Sequence, residues 1–481
     1  MAAPLDSLLK LPLKDPDSPL PYGTGEEQIL HVHRCYDELA KKLRTLHDLP
    51  LTIHTIQGVS AVFRYAEVFL CMLETSGKWP EDKDAVQRVK AAFLLKIREL
   101  LRNEHHIVCQ ITAEYLDIFM DGLIFRLEIG YQKEIALHKL VSTPDGMTKM
   151  VNTESAEHLE HRIVTLPLLT SLLHGLQQQH GTFSATVRLA KRWLSAHLLL
   201  DGYITEEAVE LMVAHLYVTP APYKLLVFFM KRINRPFNLW ICDKRSPFVG
   251  FLRFLSVLCY YDWQHKPLIV NLNGQLTREE VANIQTQFTK NRATLPLMCI
   301  ASPLDKTGSK LTRSMPTAQM LHRIILLANE SLNVLHKHVL LESEVIDFKI
   351  PRQHQAVDIS QDAFIPPYKR AENVPVQKCL PVVQYNPVSS YFKELREAYG
   401  ELAMFFNDIY GGDIIAVVWK PAAFKPHPFK TSHVNGRRID ESSTGKETMI
   451  SPEVEAILKG FRIIGAGLVD RIDSRVDKWK I

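Results

Sequence analysis

The sequence predicts an α+β protein in three parts: a mixed-sheet domain, a mainly helical domain and a small α+β domain. Three patterns predict it. An Asp121-Gly122 turn joins two strand-like runs, the second alternating strictly, downstream of two amphipathic helices. Helical periodicity runs throughout residues 155–220. Beyond a proline-rich stretch at 345–388, a helical stripe, an apolar strand and a helix start follow in order. The expected organisation is a proline-rich tail at 1–25, a sheet domain at 26–152, a helical domain at 153–343, a linker-like segment at 344–388 and a terminal domain at 389–481.

Each element has its own signal. Ile29, Val32, Tyr36, Leu39, Leu43 and Leu46 recur every three or four residues and stripe a first helix. Leu51 to Ile56 is short and β-branched, a strand that Gly58 ends. Val86, Val89, Phe93, Ile97 and Leu100 stripe a second helix that starts near Asp84. Asp-Gly suits a type I′ turn, because both central residues need positive φ. In the following strand Leu123, Phe125, Leu127, Ile129 and Tyr131 share one face, and Ile124, Arg126 and Glu128 the other. Leu268–Asn271 and Leu295–Ile300 read as strands bounded by prolines, and Thr317 to about His338 as a helix. The stripe Phe392, Leu395, Tyr399, Leu402, Phe406, Ile409 predicts a helix that stops at Gly411-Gly412. Ile414 to Trp419 is a buried-type strand, and Ser451-Pro452 reads as an N-cap and first turn. Residues 223–247 show no clean period.

Composition excludes several classes. The chain has 481 residues, 46% hydrophobic and 23% charged, which is the profile of a globular protein too long for one ordinary core. A net charge of +4 supports no global affinity for nucleic acid, so any such surface is local. The 7 cysteines are scattered, without a C-x-x-C pair, which argues for a reducing compartment and against a zinc framework. Met1 to Pro21 lacks a signal-peptide pattern, and the most apolar run, Phe251 to Tyr261, contains Arg253 and is too short to span a bilayer. No membrane association and no cofactor are expected.

No G-x-S-x-G, P-loop or G-x-G-x-x-G motif is present. His31, His33 and the His105-His106 pair read as solvated or half-buried. The strand–glycine–hairpin order at 50–131 fits a polymerase-β-type nucleotidyltransferase. That chemistry needs a Gly-[Gly/Ser] turn, two carboxylates in one strand and a third next door, to hold two metal ions about 4 Å apart. Here the turn is Gly58-Val59, one acid follows at Glu67 without a partner two residues away, and Glu128 is the third-strand candidate. Arg126, on the same face, is expected to compete for that carboxylate. The D-x-D pairs Asp15/Asp17 and Asp82/Asp84 lie in a proline tail and at a helix start, not in strands. Gly58, Glu67 and Glu128 are therefore read as degenerate nucleotidyltransferase positions, with no catalytic or metal site.

The blocks LPLTIHTIQGVSAVFRYAEVF, DGLIFRLEIGYQKE, LPLLTSLLHGLQQQHGTFSATVRLAKRW, PFVGFLRFLSVLCYYDWQHKPLIVNLN and GGDIIAVVWKPAAFKPHPFK resemble the C-terminal half of the Nrap (nucleolar RNA-associated protein) family, across about 25–481. The resemblance implies a degenerate nucleotidyltransferase domain, a helical domain like that of poly(A) polymerase and oligoadenylate synthetase, and a terminal α+β domain. It also implies a scaffold of the small-subunit processome, acting in pre-ribosomal RNA processing in the nucleolus, with processome proteins as partners. Family members are about twice as long, so the chain is expected to be a fragment, isoform or partial gene model. The stretch from Phe69 to Glu74 reads as shortened, and 223–247 as inserted.

Two basic segments are candidates for RNA. Lys420, Lys425, Lys430, Arg437 and Arg438 interleave with Phe424 and Phe429 and no acid; prolines make this an extended loop whose cations could meet phosphates and whose rings could stack on bases. The competing reading has those rings capping the domain core. Arg188, Lys191 and Arg192 lie at helical spacing beside Trp193, either on a cleft or on a solvated face. The leading expectation is a non-catalytic scaffold that binds pre-ribosomal RNA and proteins. The alternatives are an active template-independent nucleotidyltransferase using Glu67 and Glu128, and a purely protein-binding module.

Overall fold

A computed structural model describes residues 27–49, 51, 53–59, 68–73, 79–121, 123–142, 148–219, 247–313, 315–341, 355–359, 386–410, 414–428, 436–439 and 449–473. The chain divides into two compact units. The first comprises Met1–Ala185, Asn271–Thr277 and Ser302–Lys306; the second comprises Thr186–Val270, Arg278–Ala301 and Thr307–Ile481. The tail at 1–25 and the segment 223–246 lie outside the described residues.

The first unit opens with helix α1 (Glu27–Arg44). Its apolar stripe buries Cys35, Leu39 and Leu43. Strands β1 (Ile53–Gly58) and β2 (Val68–Leu73) follow, the first two residues later than the sequence predicts. Helix α2 (Lys83–His105) is capped by Asp82, whose carboxylate accepts from Ala85 N at 2.9 Å. It ends at His106 in the left-handed region, φ 55°. Strands β3 (Val108–Ile111), β4 (Tyr115–Met120) and β5 (Leu123–Gly130) complete a sheet of order β1-β2-β5-β4-β3. Only β2 and β5 run parallel. The hairpin forms as expected: Met120 pairs with Leu123, and Asp121 takes φ 50°. The inward face of β5, Leu123 to Tyr131, joins α1 and α2 in one core.

Helix α3 (Gln132–Lys139), a ribbon of β6 (Leu140–Ser142) and β7 (Thr148–Met150), and helix α4 (Glu154–Glu160) come next. Residues His161–Thr165 make a π-helical turn that runs into α5 (Leu166–Gln179). Helix α6 (Phe183–Ala196) then leads into the second unit.

There, α7 (Glu206–Val218) and α8 (Pro247–Tyr260) bury most of their residues, with Phe248 and Tyr260 of α8 exposed. The strands expected near 270 and 300 form as a short parallel pair, β8 (Leu268–Ile269) with β9 (Ile300–Ala301), flanking α9 (Arg278–Lys290). Helix α10 (Ala318–Leu341) packs on α8. Among the described residues no helix is long and apolar enough to cross a membrane.

The C-terminal part departs from expectation at four places. Within the stretch expected to be linker, Gln355–Ile359 forms strand β10, interior to a sheet of order β11-β12-β10-β16. Its partners lie over fifty residues downstream, so no local pattern announces it. Helix α11 (Pro387–Tyr399), capped by Asn386, stops at Gly400, not at Gly411-Gly412. Leu402 and Phe406 continue its spacing, but Ala403–Asn407 is strand β11, held in register by β12 (Ile414–Trp419). Cross-strand pairing of two apolar runs outweighs the helical period there. Within the expected basic loop, His427–Pro428 forms β13 and Arg437–Ile439 forms β14, on either side of β15 (Met449–Pro452). Ser451 and Pro452 thus belong to a strand; helix α12 (Val454–Ile464) starts after Glu453, and β16 (Val469–Asp473) closes the order.

Candidate functional site

Of the nucleotidyltransferase-like positions, Gly58 ends β1 and Glu128 lies on the face of the first sheet away from the core that α2 shares. β1 ends at Gly58, and Val59 follows, only 6% exposed. Its side chain packs against Ile163, with Leu159, Val164 and Leu166 alongside. Its carbonyl accepts from Thr170 Oγ1 at 3.0 Å. A phosphate cradle needs a small residue there, so that backbone N–H groups can approach the anion. An isopropyl group buried under a π-helical turn fills that place instead.

Glu128 lies on β5, paired in register with Leu70 of β2 and Tyr115 of β4. Both its oxygens accept from Arg162: Nε donates at 2.7 Å to Oε2, and Nη2 donates to Oε1. Arg162 and Ile163 are consecutive residues of the π-helical turn. One irregular turn therefore supplies the cation on Glu128 and the apolar contact on Val59. Such turns commonly mark functional positions.

The expected competition between Arg126 and Glu128 is tempered, because each side chain is held by a partner of its own. Arg126 donates from Nε at 2.8 Å and from Nη2 at 3.0 Å to the carboxylate of Asp117 on β4, and lies 3.6 Å over the Tyr115 ring. Asp117 lies on the adjacent strand directly opposite Arg126. β2 begins one residue after Glu67, which lies outside the described residues. Among the described residues no three His, Cys, Asp or Glu side chains gather where they could hold a metal ion. His33 and His174 sit with ring centroids 5.4 Å apart.

The basic candidates separate. Lys191 is 1% exposed, with its ammonium 2.5 Å from Glu206 and 2.7 Å from Glu210 on α7. It is a buried ion pair and unavailable to RNA, which corrects the expectation. Arg192 reaches Asp408 at 2.6 Å, and Ser195 donates to the other oxygen of that carboxylate. Arg188 is half-buried.

In the C-terminal segment, Lys420 donates to Gly400 O at 2.6 Å. Phe424 packs edge-on against Trp419, at 5.5 Å and 82°, and joins the domain core, so for this ring the core-capping reading holds. Arg437 reaches Glu401 at 3.3 Å and also contacts His427, with its side chain 7% exposed. Lys425 and Arg438 are exposed and point no charge at an acid among the described residues. Lys430 and Phe429 lie outside the described residues. The sequence shows the charges but not which are already neutralised.

Comparison with known proteins identifies the frame. Residues 5–178 match the Nrap protein nucleotidyltransferase domain 4, 180–350 the Nrap protein PAP/OAS1-like domain 5, and 339–472 the Nrap protein domain 6. Nucleolar protein 6 of Xenopus tropicalis is 40% identical over 517 residues, covering 95% of this chain and 43% of its own length. Nucleolar protein 6 of Homo sapiens is 37% identical over 540 residues, covering 100% and 44%. The chain thus spans less than half the length of these curated relatives. Among solved structures, E. coli MS115-1 CdnC with ATP aligns at 12% identity over 65% of this chain and 87% of its own, with a TM-score of 0.37. With three successive domains of one family matched in order from residue 5 to residue 472, the chain belongs to the Nrap family.

Proposed function

We propose that the chain is a non-catalytic RNA- and protein-binding scaffold of the small-subunit processome, acting in the nucleolus in pre-ribosomal RNA processing. The name Nucleolar protein 6 on its relatives supports the compartment and the link to ribosome biogenesis. The observation that carries the non-catalytic reading is the ion pair between Glu128 and Arg162. A carboxylate that must ligate a divalent cation is instead neutralised by a guanidinium. The buried Val59 beside it removes the approach a triphosphate needs. Without a metal pair, phosphoryl transfer loses both the activated nucleophile and the stabilised leaving group.

Two measurements test the reading. The 481-residue chain is incubated with an RNA primer, nucleoside triphosphates and Mg²⁺ or Mn²⁺; no extension is expected. Incorporation that disappears in Glu128→Ala overturns it in favour of a working enzyme. RNA affinity is then titrated against salt; binding without any salt dependence, or no crosslink to RNA in cells, points to a module that contacts proteins alone.

A further inference from the structure

The first sheet has two edges, and they differ. At the β1 edge the Tyr36 hydroxyl donates to Ile56 O at 3.3 Å, so side chains already cover part of the backbone. At the other edge stands β3, Val-Cys-Gln-Ile, with no strand beyond it among the described residues. It carries no lysine, no proline and no charge, the usual devices that keep an exposed edge from pairing.

The register shows what lies on either side of that edge. Val108 pairs with Phe119, which pairs with Ile124, so three apolar side chains form a row across the outer face of β3, β4 and β5. Val108 is 55% exposed, and Phe119 and Ile124 are half-buried. The next row is Gln110, Asp117 and Arg126, whose charges cancel in their own ion pair. This face offers apolar surface without net charge, which suits a protein segment better than RNA.

The side of the edge facing α2 is different. Helix α2 packs against β3, and Cys109 of β3 shares one core with Ile97, Leu100 and Leu101 of α2, which puts Arg98 on the same stretch of that helix. Burial pushes the Cys109 thiol up to about 12, and the Arg98 guanidinium opposes that shift. Arg102 follows one turn later on α2, and neither arginine makes an ion pair among the described residues.

We infer that β3 is a docking edge for an extended peptide segment of another protein, one that alternates apolar and acidic residues. The added strand lays its apolar side chains beside Val108 on the outer face. Its alternate, acidic side chains turn toward Arg98 and Arg102, as the period of two dictates. A second copy of this chain fits poorly, because antiparallel pairing of two β3 edges brings the arginines of both copies together. The inference deepens the scaffold reading by naming a partner class. It fails separately from that reading, whose own test is primer extension and RNA titration.

The test uses the full chain and a fluorescein-labelled, amidated nonapeptide alternating Val and Glu, followed by anisotropy at low and high salt. Saturable binding is expected, weaker at high salt. Val108→Lys and Arg98→Glu should each weaken it at least about tenfold. Arg98→Glu should instead capture a Val/Lys peptide. Val108 is exposed and Arg98 half-buried, and thermal unfolding confirms that the variants fold. Equal binding of the Val/Lys and Val/Glu peptides to the unaltered chain overturns the inference. So does indifference to Val108→Lys, displacement of the peptide by single-stranded RNA, or concentration-dependent dimers abolished by Val108→Lys.

Discussion

Arg162 holds Glu128 through both carboxylate oxygens, from a π-helical turn thirty-four residues downstream in the chain. Glu128 is largely buried, with its side chain 16% exposed, so removing the guanidinium leaves a carboxylate with poor solvation. Arg162→Ala should destabilise the first unit by about 1–2 kcal/mol, the order expected for a half-exposed charge-assisted pair. Urea unfolding reads it. The double variant Arg162→Ala with Glu128→Ala should recover part of that loss, because it leaves no orphaned charge. If the single variant instead gains specific Mn²⁺ binding, the cleft retains metal ligands that the arginine masks.

The Lys191 cluster is a harsher case. Glu210 is fully buried and Lys191 nearly so. Lys191→Met strands two carboxylates, one of them without solvent, and should cost about 3–5 kcal/mol. Lys191→Met combined with Glu210→Met should be much milder. RNA affinity per folded molecule should be unchanged in either variant, since the ammonium does not reach the surface. A fall in affinity without a fall in stability contradicts this assignment.

Local chemistry makes the β4–β5 hairpin legible in the sequence. Asp121-Gly122 fixes the turn, and the period of two from Leu123 fixes the buried face. The same reasoning reads a carboxylate deficit after Gly58, where Glu67 has no acid two residues away. It could not identify Arg162 as the partner of Glu128, because a π-helical turn shifts the register of the helix that carries it. Lys191 looked like part of a basic face because helical spacing says nothing about Glu206 and Glu210 on the next helix. β10 and β11 were missed for a related reason: their pairing is non-local, and Leu402 and Phe406 satisfy a helical stripe equally well.

RNA binding should depend on Lys425 and Arg438, exposed cations among the described residues of the C-terminal segment. Lys425→Glu and Arg438→Glu should each weaken binding across unrelated sequences and lower the salt slope by about one. Lys420 and Arg437 are held by Gly400, Glu401 and His427, so their substitution should act first on stability. Filter binding at several salt concentrations separates the two groups. If Lys425→Glu with Arg438→Glu binds like the unaltered chain, RNA contacts lie elsewhere.

Acid should destabilise the fold through histidines held neutral. Burial lowers the His215 pKa, against an opposing hydrogen bond to Ile269 O at 3.0 Å. Burial also lowers His33, helped by His174 and opposed by Asp37, and His197, helped by Arg323. The folded chain thus takes up protons less readily at these sites than the unfolded chain, whose histidines titrate near about 6.5. Stability from this source is fully present above that value and is lost as pH falls through the lowered folded-state values. The urea midpoint should therefore drop between about pH 7.5 and about pH 5.5, in the range where histidine titrates. His215→Gln keeps a group able to bond Ile269 O and removes one titration, so its midpoint should fall less steeply over the same interval. A slope identical to that of the unaltered chain means that His215 is not among the groups driving the loss.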